Sequence, residues 1–350
     1  MKIAVMGSGG VGGFYGGRLA HAGYAVSLIA RGAHLAAMRE HGLTIESEPQ
    51  GNIHIPRIKV ADDPATIGVA AFVLIAAKLW DTEAAVRAVI PLCGPKTAVV
   101  SLQNGVIKDD ILRRAFGEAA VMGGVVYVAT RIVRPGVIQQ TGTMQRLICG
   151  EYDGRRSARA EALREALERA GIKAEISDDI RRTLWEKVAY LVGLSGSTTT
   201  MQATIGPIRA HPQTRAFLFD LMKEAVTVGR AHGVNLPEDF AEQRLAFVDT
   251  LAADMTSSMH NDLNSGNPLE VPWLSGGVVQ LGREVGVPSP ANRAVWASLR
   301  CTPVVTRSRR AKFAKPLGAG RALGWGLSTL PAQTPTTCCT SPTRITTPFA

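Results

Sequence analysis

Long hydrophobic runs are absent from this chain of 350 residues, and cysteine and aromatic side chains are scarce. No apolar stretch approaches the roughly 18 residues that a membrane-spanning helix requires, so we expect no membrane partner. The first residues also lack the apolar core and cleavage site of a secretory signal, which makes the cytoplasm the expected location. The length predicts two domains, each able to bury a core.

The few cysteines exclude two further kinds of architecture. They show no metal-ligand spacing with each other or with histidines, and two adjacent cysteines make a poor disulfide framework. The five are Cys93, Cys149, Cys301, Cys338 and Cys339. We expect reduced thiols without a function and no bound metal.

Acidic residues are missing from the last fifty residues, and this absence accounts for most of the net charge of +10. The basic residues of that segment are Arg307, Arg309, Arg310, Lys312, Lys315, Arg321 and Arg344. Because residues 1–300 are nearly balanced in charge, no nucleic-acid partner is indicated.

The tail, residues 301–350, is rich in Pro, Thr, Ser and Arg without periodicity, which predicts disorder. A binding tail and a non-native reading frame are the alternatives.

Short apolar strands alternate with helical stretches in the first half of the chain. Four such strands are Lys2–Met6, Ala25–Ile29, Ala71–Ala76 and Ala98–Leu102. Nearly continuous apolar strands are typical of a parallel sheet covered on both faces. After Asp178 the spacing of apolar residues becomes helical. The sequence therefore predicts an α/β fold, with a Rossmann-type parallel sheet domain over residues 1–177 and an all-helical domain over residues 178–300.

A glycine motif of the form G-x-G-x-x-G directly follows the first strand and opens a helix, which is the setting of a dinucleotide-binding loop. Gly7 allows a tight turn, Gly9 lets the backbone approach a pyrophosphate, and Gly12 lets the helix pack on the sheet. The helix N-terminus then offers free N–H groups and a positive dipole. The predicted contacts are Gly7, Ser8, Gly9, Gly10, Val11 and Gly12. A plain glycine turn is the alternative.

The residue that follows the second strand indicates which nicotinamide cofactor is bound. An acidic residue there would bind the ribose 2′-hydroxyl of NADH, but this chain has Arg31. A guanidinium suits a 2′-phosphate, which it can bind through two parallel hydrogen bonds. We therefore expect NADPH, the alternative being that Arg31 is a solvated loop residue.

Several further motifs together resemble the ketopantoate reductase (2-dehydropantoate 2-reductase) family, over residues 1 to about 299. The motifs are MKIAVMGSGGVGGFYGGRLA at the N-terminus, Arg31, Ala76-Ala77-Lys78, Leu102-Gln103-Asn104-Gly105-Val106, Leu184-Trp185-Glu186-Lys187, Thr256-Ser257-Ser258-Met259, Leu269-Glu270-Val271 and Val287-Pro288-Ser289-Pro290-Ala291-Asn292. The resemblance implies an enzyme that reduces a 2-oxo acid to a 2-hydroxy acid with NADPH. The leading reaction is 2-dehydropantoate to pantoate, in pantothenate biosynthesis.

The resemblance also implies roles for individual residues. Lys187 would be the general acid, and Glu270 would be a catalytic residue that positions the substrate. Asn104 and Ser258 would bind the substrate. Lys78, and Asn104 again, would lie against the cofactor. The alternatives are a first-turn helix carboxylate for Glu270, a turn residue for Asn104, a helix or turn cap for Ser258 and a solvated loop lysine for Lys78.

Elementary chemistry supports the role of Lys187. The following residues, 188–194, are apolar around the whole helix, so we expect that helix to be buried, with Lys187 at its edge. A lysine there needs an anion such as Glu270 or a substrate carboxylate. Ketone reduction builds negative charge on the carbonyl oxygen, which an ammonium can stabilise and then protonate. A lysine that extends from the helix to water is the alternative.

Three positions depart from the family. Leu191, Ser195 and Met255 stand where the family usually has asparagine. Ser195 is retained as a predicted substrate contact, whereas Leu191 favours a more apolar ligand. A pocket that lacks hydrogen bonds to a substrate hydroxyl discriminates poorly in its favour. Two alternatives therefore stay open, a related reductase of another small carbonyl compound and a catalytically silent dinucleotide-binding protein. The oligomeric state is also open, a homodimer included.

The composition of the tail generates a first prediction. Truncation after Arg300 is expected to leave the melting temperature and the NADPH dissociation constant nearly unchanged, because an aperiodic polar segment adds little to a core. Thermal unfolding and fluorescence titration of the full and truncated chains measure both quantities. A large drop in the melting temperature would reveal a structural element in the tail.

Overall fold

The computed structural model describes residues 1–300, and the expectations for residues 301–350 lie outside the described part. The strands are β1 Lys2–Met6, β2 Ala25–Ile29, β3 Leu43–Ser47, β4 Ile53–Ile55, β5 Lys59–Ala61, β6 Phe72–Ile75, β7 Ala98–Ser101, β8 Val121–Arg134, β9 Val137–Gly150 and β10 Lys173–Ile176. The α-helices are α1 Gly10–His21, α2 Gly32–His41, α3 Thr82–Val89, α4 Ile107–Phe116, α5 Ala158–Arg169, α6 Ile180–Met201, α7 Ile205–Ala210, α8 Pro212–Ala231, α9 Phe240–Asp249, α10 Ser258–Asn264, α11 Ser275–Glu284 and α12 Pro290–Arg300.

The strands form one sheet in the order β4-β3-β9-β8-β7-β6-β1-β2-β5, with β10 paired to β9. Neighbouring strands in the part of the sheet ordered β8-β7-β6-β1-β2-β5 are all parallel. Strands β8 and β9 form a long antiparallel hairpin. The central strands β6 and β7 are buried at every position, because helices cover both faces of the sheet. This arrangement confirms the predicted α/β class and the helical second half.

The border between the two halves is short. The last strand, β10, ends at Ile176, and α6 begins at Ile180 with Asp179 as its N-cap. The Asp179 side chain accepts a hydrogen bond from the backbone N–H of Arg182 at 2.9 Å. The change from sheet to helices therefore falls between Ile176 and Ile180, and the division into domains over residues 1–177 and 178–300 stays a prediction.

Helix α6 is longer than its apolar pattern indicates, since it continues past Leu194 to Met201. The last turns are rich in hydroxyl groups that bind carbonyl oxygens of the preceding turn. Ser197 donates to Gly193 at 2.7 Å and Thr198 to Leu194 at 2.6 Å. These bonds satisfy polar groups inside the helix, so it stays buried without an apolar sequence.

The helical half packs around α6 and α8. Its core includes Val188, Val192, Leu218 and Met222, each almost completely buried. Leu191 is only partly buried at the margin of this core, so residues 188–194 are not hidden on every side as the sequence predicts. The exposed side of α6 therefore remains available beside Lys187. No helix within residues 1–300 is long and apolar enough to cross a membrane.

Candidate active site

The glycine loop joins β1 to α1 and contacts the end of β6. Gly7 has φ of +96°, and a Cβ atom there would lie 2.7 Å from the backbone nitrogen of Ala77. A Cβ atom on Gly12 would lie 2.1 Å from the carbonyl oxygen of Gly7. Both positions therefore require glycine, one for its backbone conformation and one for the close approach of helix and turn.

Gly9 differs from these two glycines because nothing lies within 4 Å of where its Cβ would be. It is the N-cap of α1, and no side chain caps the helix there. The first backbone bond at this end runs from Gly13 N–H to the Gly9 carbonyl, at 2.8 Å. An open backbone with uncapped N–H groups and the positive end of a helix dipole fits a dinucleotide pyrophosphate.

Arg31 lies at the same edge of the sheet, two residues after β2. The last residue of β2, Ile29, accepts hydrogen bonds from the backbone N–H groups of Gly7 and Ser8, at 3.2 and 3.1 Å. The exposed Arg31 guanidinium contacts the Asp81 carboxylate, with 2.9 Å between Nη2 and Oδ2. Sequence reasoning missed Asp81, which is separated from Arg31 by fifty residues. Arg31 therefore lies next to the glycine loop, and its guanidinium forms an ion pair with the Asp81 carboxylate.

The part-buried Lys187 side chain binds the sheet half through its ammonium. Its Nζ donates to Asn104 Oδ1 at 2.9 Å and to the Val126 carbonyl at 2.7 Å. The ammonium also lies 5.5 Å from the centre of the Tyr127 ring. The residues come from three elements, α6, the loop after β7, and β8. The alternative of a lysine that extends freely to solvent is therefore wrong.

The surroundings of Lys187 change its proton affinity. Burial and, to a smaller extent, the positive charge of Lys108 lower the pKa of the Lys187 ammonium from 10.5 to about 7, although the carboxylate of Glu270 acts to raise it. Both protonation states are consequently populated near neutral pH. An amine in this state can donate a proton or accept one.

Glu270 is buried beside the segment that follows Lys78. Its Oε1 accepts the backbone N–H of Leu79 at 3.1 Å. Helix α11 begins only at Ser275, so Glu270 lies before it in a turn whose amides, those of Trp273 and Leu274, bond to the Glu270 carbonyl. The alternative of a first-turn carboxylate of that helix is wrong.

Lys78 bridges the two halves of the protein. Its Nζ binds Asp262 Oδ2 at 2.8 Å and lies 5.6 Å from the centre of the Trp80 ring. Burial alone would lower the pKa of Lys78, but the carboxylates of Glu270 and Asp262 outweigh burial and raise it. The lysine is thus firmly cationic. No spacing in the sequence indicates Asp262, which lies 184 positions away.

The predicted hydroxyl contacts differ in their accessibility. Ser258 is the exposed first residue of α10, four residues before Asp262 and therefore on the same face of that helix. The cap of α10 is the neighbouring Ser257, which accepts the N–H of His260 at 3.1 Å. Ser195 is buried and donates to the Leu191 carbonyl at 2.5 Å. Ser258 thus shares a helix face with Asp262, the partner of Lys78, whereas the Ser195 hydroxyl is engaged by its own helix.

The glycine loop and the three charged residues Lys78, Lys187 and Glu270 share one edge of the sheet. The loop packs on Ala77, directly before Lys78, and Glu270 binds the residue directly after it. This is the carboxyl edge of the parallel strands, where ligands bind in open α/β sheets. Within residues 1–300 no cluster of ligand residues could hold a metal ion.

Comparison with known families matches both halves of the chain. The model described as "Ketopantoate reductase PanE/ApbA" matches residues 3–154. The model described as "Ketopantoate reductase PanE/ApbA C terminal" matches residues 179–301.

Individual relatives agree with these matches. A 2-dehydropantoate 2-reductase of Mesorhizobium japonicum is 31% identical, covering 86% of this chain and 97% of the relative. The uncharacterized oxidoreductase YkpB of Bacillus subtilis is 30% identical, over 86% and 98%. A crystal structure of a PanE/ApbA family ketopantoate reductase from Ralstonia eutropha superimposes with a TM-score of 0.78 at 34% identity, over 86% and 97%.

The glycine loop yields a pair of matched variants. Gly9→Ala is expected to fold, because its φ of −68° suits alanine and the space is open. It should nevertheless weaken NADPH binding by roughly tenfold or more, about 1.4 kcal/mol, since the methyl group occupies the pyrophosphate approach. Gly12→Ala should instead lower the melting temperature by several degrees. Calorimetry and thermal unfolding separate the two effects, and unchanged NADPH affinity in Gly9→Ala would contradict the interpretation of the loop.

Proposed function

The chain is an oxidoreductase of the ketopantoate reductase family, and from this premise we propose that it reduces a 2-oxo acid to the 2-hydroxy acid with NADPH. The observation that carries the proposal is the Lys187 ammonium, bonded to Asn104 and with its pKa lowered by burial to about 7. A residue in that state is suited to donate a proton at neutral pH.

The cofactor site consists of the glycine loop with Arg31 at its edge. Gly9 and the uncapped start of α1 would hold the pyrophosphate. Arg31 would hold the 2′-phosphate, its contact with Asp81 being exposed to solvent and therefore weak enough to exchange. Ser8, Gly10 and Val11 complete the loop, and Lys78 and Asn104, which follow the neighbouring strands β6 and β7, would lie against the cofactor.

The mechanism follows from the direction of charge development. NADPH, when bound, supplies the hydride that adds to the carbonyl carbon. Lys187 donates its proton to the carbonyl oxygen as negative charge grows there, and it regains a proton from solvent. Asn104 fixes the position of the Lys187 amine through the 2.9 Å hydrogen bond, so no reorientation is needed at the moment of transfer.

Binding of the substrate is the role of the residues around this lysine. Glu270 orients the substrate from the opposite side, and its negative charge keeps Lys187 from losing its proton too readily. Ser258, exposed at the start of α10, is available for a polar group of the substrate. The arrangement argues against a catalytically silent protein, because a lysine with a lowered pKa has no evident use in dinucleotide binding alone.

The leading substrate is 2-dehydropantoate, and a second candidate is another small 2-oxo acid with a more apolar chain. Leu191 supports the second candidate, since it is only partly buried one helical turn after Lys187. The Ser195 hydroxyl is engaged within α6, which weakens its predicted role as a substrate contact. A screen of NADPH consumption over 2-oxo acids, polar and apolar, distinguishes the candidates. Absence of turnover with every 2-oxo acid would contradict the proposed reaction.

Cofactor choice gives a prediction with a matched control. Arg31→Ala is expected to weaken NADPH binding by about 2 kcal/mol, while NADH binding changes little, because only NADPH carries the 2′-phosphate. Asp81→Asn should change the NADPH affinity in the opposite direction and strengthen binding, because it removes the carboxylate that competes for Arg31. Both constants follow from fluorescence titration. Equal affinity of the unmodified protein for NADPH and NADH would refute the role of Arg31.

The catalytic role of Lys187 predicts a loss of rate with a defined pH dependence. Lys187→Ala should lower kcat roughly 10²–10⁴-fold and leave NADPH affinity nearly unchanged. In the unmodified protein, kcat/KM for reduction should fall as the pH rises above about 7, where the amine loses its proton, and oxidation of the 2-hydroxy acid should rise over the same range.

Glu270→Ala provides the comparison at the same site. We expect it to raise KM more than it lowers kcat, because this carboxylate orients the substrate. The losses in the double variant should not add, since both residues serve one step. Steady-state kinetics of the two single variants and the double variant measure this. A Lys187→Ala protein with undiminished kcat would refute Lys187 as the proton donor.

A further inference from the structure

The outer part of the β8–β9 hairpin lies directly against the first turn of α1, beside the glycine loop. A Cβ atom on Gly10, the first residue of α1, would lie 2.6 Å from the carbonyl oxygen of Thr130 and 3.1 Å from the backbone nitrogen of Arg131. Position 10 has to be glycine for the strand to approach this closely. The peptide bond between Thr130 and Arg131 therefore adjoins the turn whose N–H groups would hold a pyrophosphate.

Arg131 is exposed on this hairpin, and its guanidinium is held by a neutral side chain. Its Nε and Nη2 atoms donate to Gln139 Oε1 at 3.0 and 2.8 Å. An amide oxygen fixes the direction of the guanidinium without cancelling its charge. Arg131 has no carboxylate partner within residues 1–300, so its positive charge is available for an anion.

Two other arginines of this region are each neutralised by a carboxylate. Arg31 pairs with Asp81 at 2.9 Å. Arg134, the last residue of β8 and three residues after Arg131, pairs with Glu46 at the same distance. The two arginines of β8 therefore differ in their partners, although both are exposed on one strand. A fixed guanidinium without a carboxylate, beside a phosphate-binding turn, indicates an anionic ligand.

The pairing of the hairpin defines the face from which Arg131 projects. Arg131 lies directly opposite Gln139, so the two side chains share one face, as the hydrogen bonds between them require. Ile138, one residue earlier on β9, projects from the other face and packs against Gly13 of α1. Arg131 therefore projects from the face of the hairpin that α1 does not cover.

This open face leads from the candidate proton donor to the start of α1. Tyr127 and Ala129 precede Arg131 by four and two residues and lie on the same face, because side chains alternate along a strand. Val128, between them, packs into the core on the α1 side. The Tyr127 ring lies 5.5 Å from the Lys187 ammonium, at the other end of the face. A dinucleotide that extends from a nicotinamide beside Lys187 to a pyrophosphate at the glycine loop would follow this face.

We propose that Arg131, oriented by Gln139, binds the pyrophosphate of the dinucleotide from the side of the hairpin. The inference rests on the proposed function, in which NADPH occupies the glycine loop. The diphosphate then lies between the N–H groups of α1 and the guanidinium. Arg131 exchanges hydrogen bonds to a neutral amide for bonds to a charged oxygen, which are shorter and stronger.

The test distinguishes Arg131 from Arg31, because the two arginines would bind different phosphates of the cofactor. Arg131→Gln in the full chain is expected to weaken the binding of NADPH, NADH and ADP by about tenfold each, since all three carry the diphosphate. Arg31→Ala should weaken the binding of NADPH alone, the one ligand of the three with a 2′-phosphate. Isothermal titration calorimetry measures the three dissociation constants, and thermal unfolding checks that each variant folds.

Two further variants of the hairpin provide matched controls. Arg134→Gln removes the arginine that Glu46 neutralises, and it should leave all three dissociation constants unchanged, which excludes a general effect of surface charge. Gln139→Glu keeps the shape of the partner side chain but gives Arg131 a carboxylate. It should therefore weaken binding of the same three ligands, although Arg131 itself is intact.

Failure of this inference differs from failure of the proposed function. An Arg131→Gln protein that binds NADH and ADP as tightly as the unmodified chain overturns the inference. A loss confined to NADPH also overturns it, because it would assign Arg131 to the 2′-phosphate. An unmodified chain without affinity for NADPH or NADH would refute the proposed function itself, and the inference with it.

Discussion

The Lys187 ammonium depends on contacts that neither half of the chain can supply alone. The lysine belongs to α6, yet both oxygens that it binds, Asn104 Oδ1 and the Val126 carbonyl, belong to the sheet domain. The amine is held in place where burial disfavours its charge. A change in how the helical half sits on the sheet would therefore alter the proton affinity of the amine and its position together. The proton affinity of Lys187 is in this sense a property of the contact between the helical half and the sheet.

The edge of the sheet that carries this interface also carries the glycine loop, and the topology accounts for the coincidence. In a parallel sheet the loops after successive strands emerge at one edge. The loop after β1 carries Gly9, that after β6 carries Lys78, and that after β7 carries Asn104. The order of the strands therefore brings together residues that are far apart in sequence, although no sequence pattern links them. The helical half adds Lys187 and Glu270 from the opposite side.

This topology explains which features could be predicted. The glycine positions followed from local backbone rules, the α/β class from the alternation of apolar strands with helical stretches, and the family from motifs in a fixed order. The partner of Lys78, by contrast, lies 184 positions away in α10, and no periodicity links Asp262 to the strand that ends before Lys78. Helix α6 extends beyond its apolar stretch, which the pattern does not indicate, because hydroxyl groups such as those of Ser197 and Thr198 bond to carbonyl oxygens of the same helix. The short strands β4 and β5, three residues each, lack enough pattern to be detected. A homodimer and a cytoplasmic location stay predictions.

Positive and negative charges around the candidate site are more evenly balanced than the net charge of +10 of the whole chain indicates. Lys78 is neutralised by Asp262 and Lys108 by Asp109, and the carboxylate of Glu270 acts to raise the pKa of both Lys78 and Lys187; in the proposed reaction the substrate would bind in the space beside Lys187 and Glu270. A substrate carboxylate that enters this space adds a negative charge, which favours the protonated form of Lys187. Binding of the substrate would then increase the protonated fraction of Lys187, the form that can donate the proton. The same logic disfavours neutral ketones, since they would leave more of the amine unprotonated at neutral pH. Selectivity for oxo acids would therefore reside partly in proton affinity, and the contacts at Leu191 would decide only which side chain the acid carries.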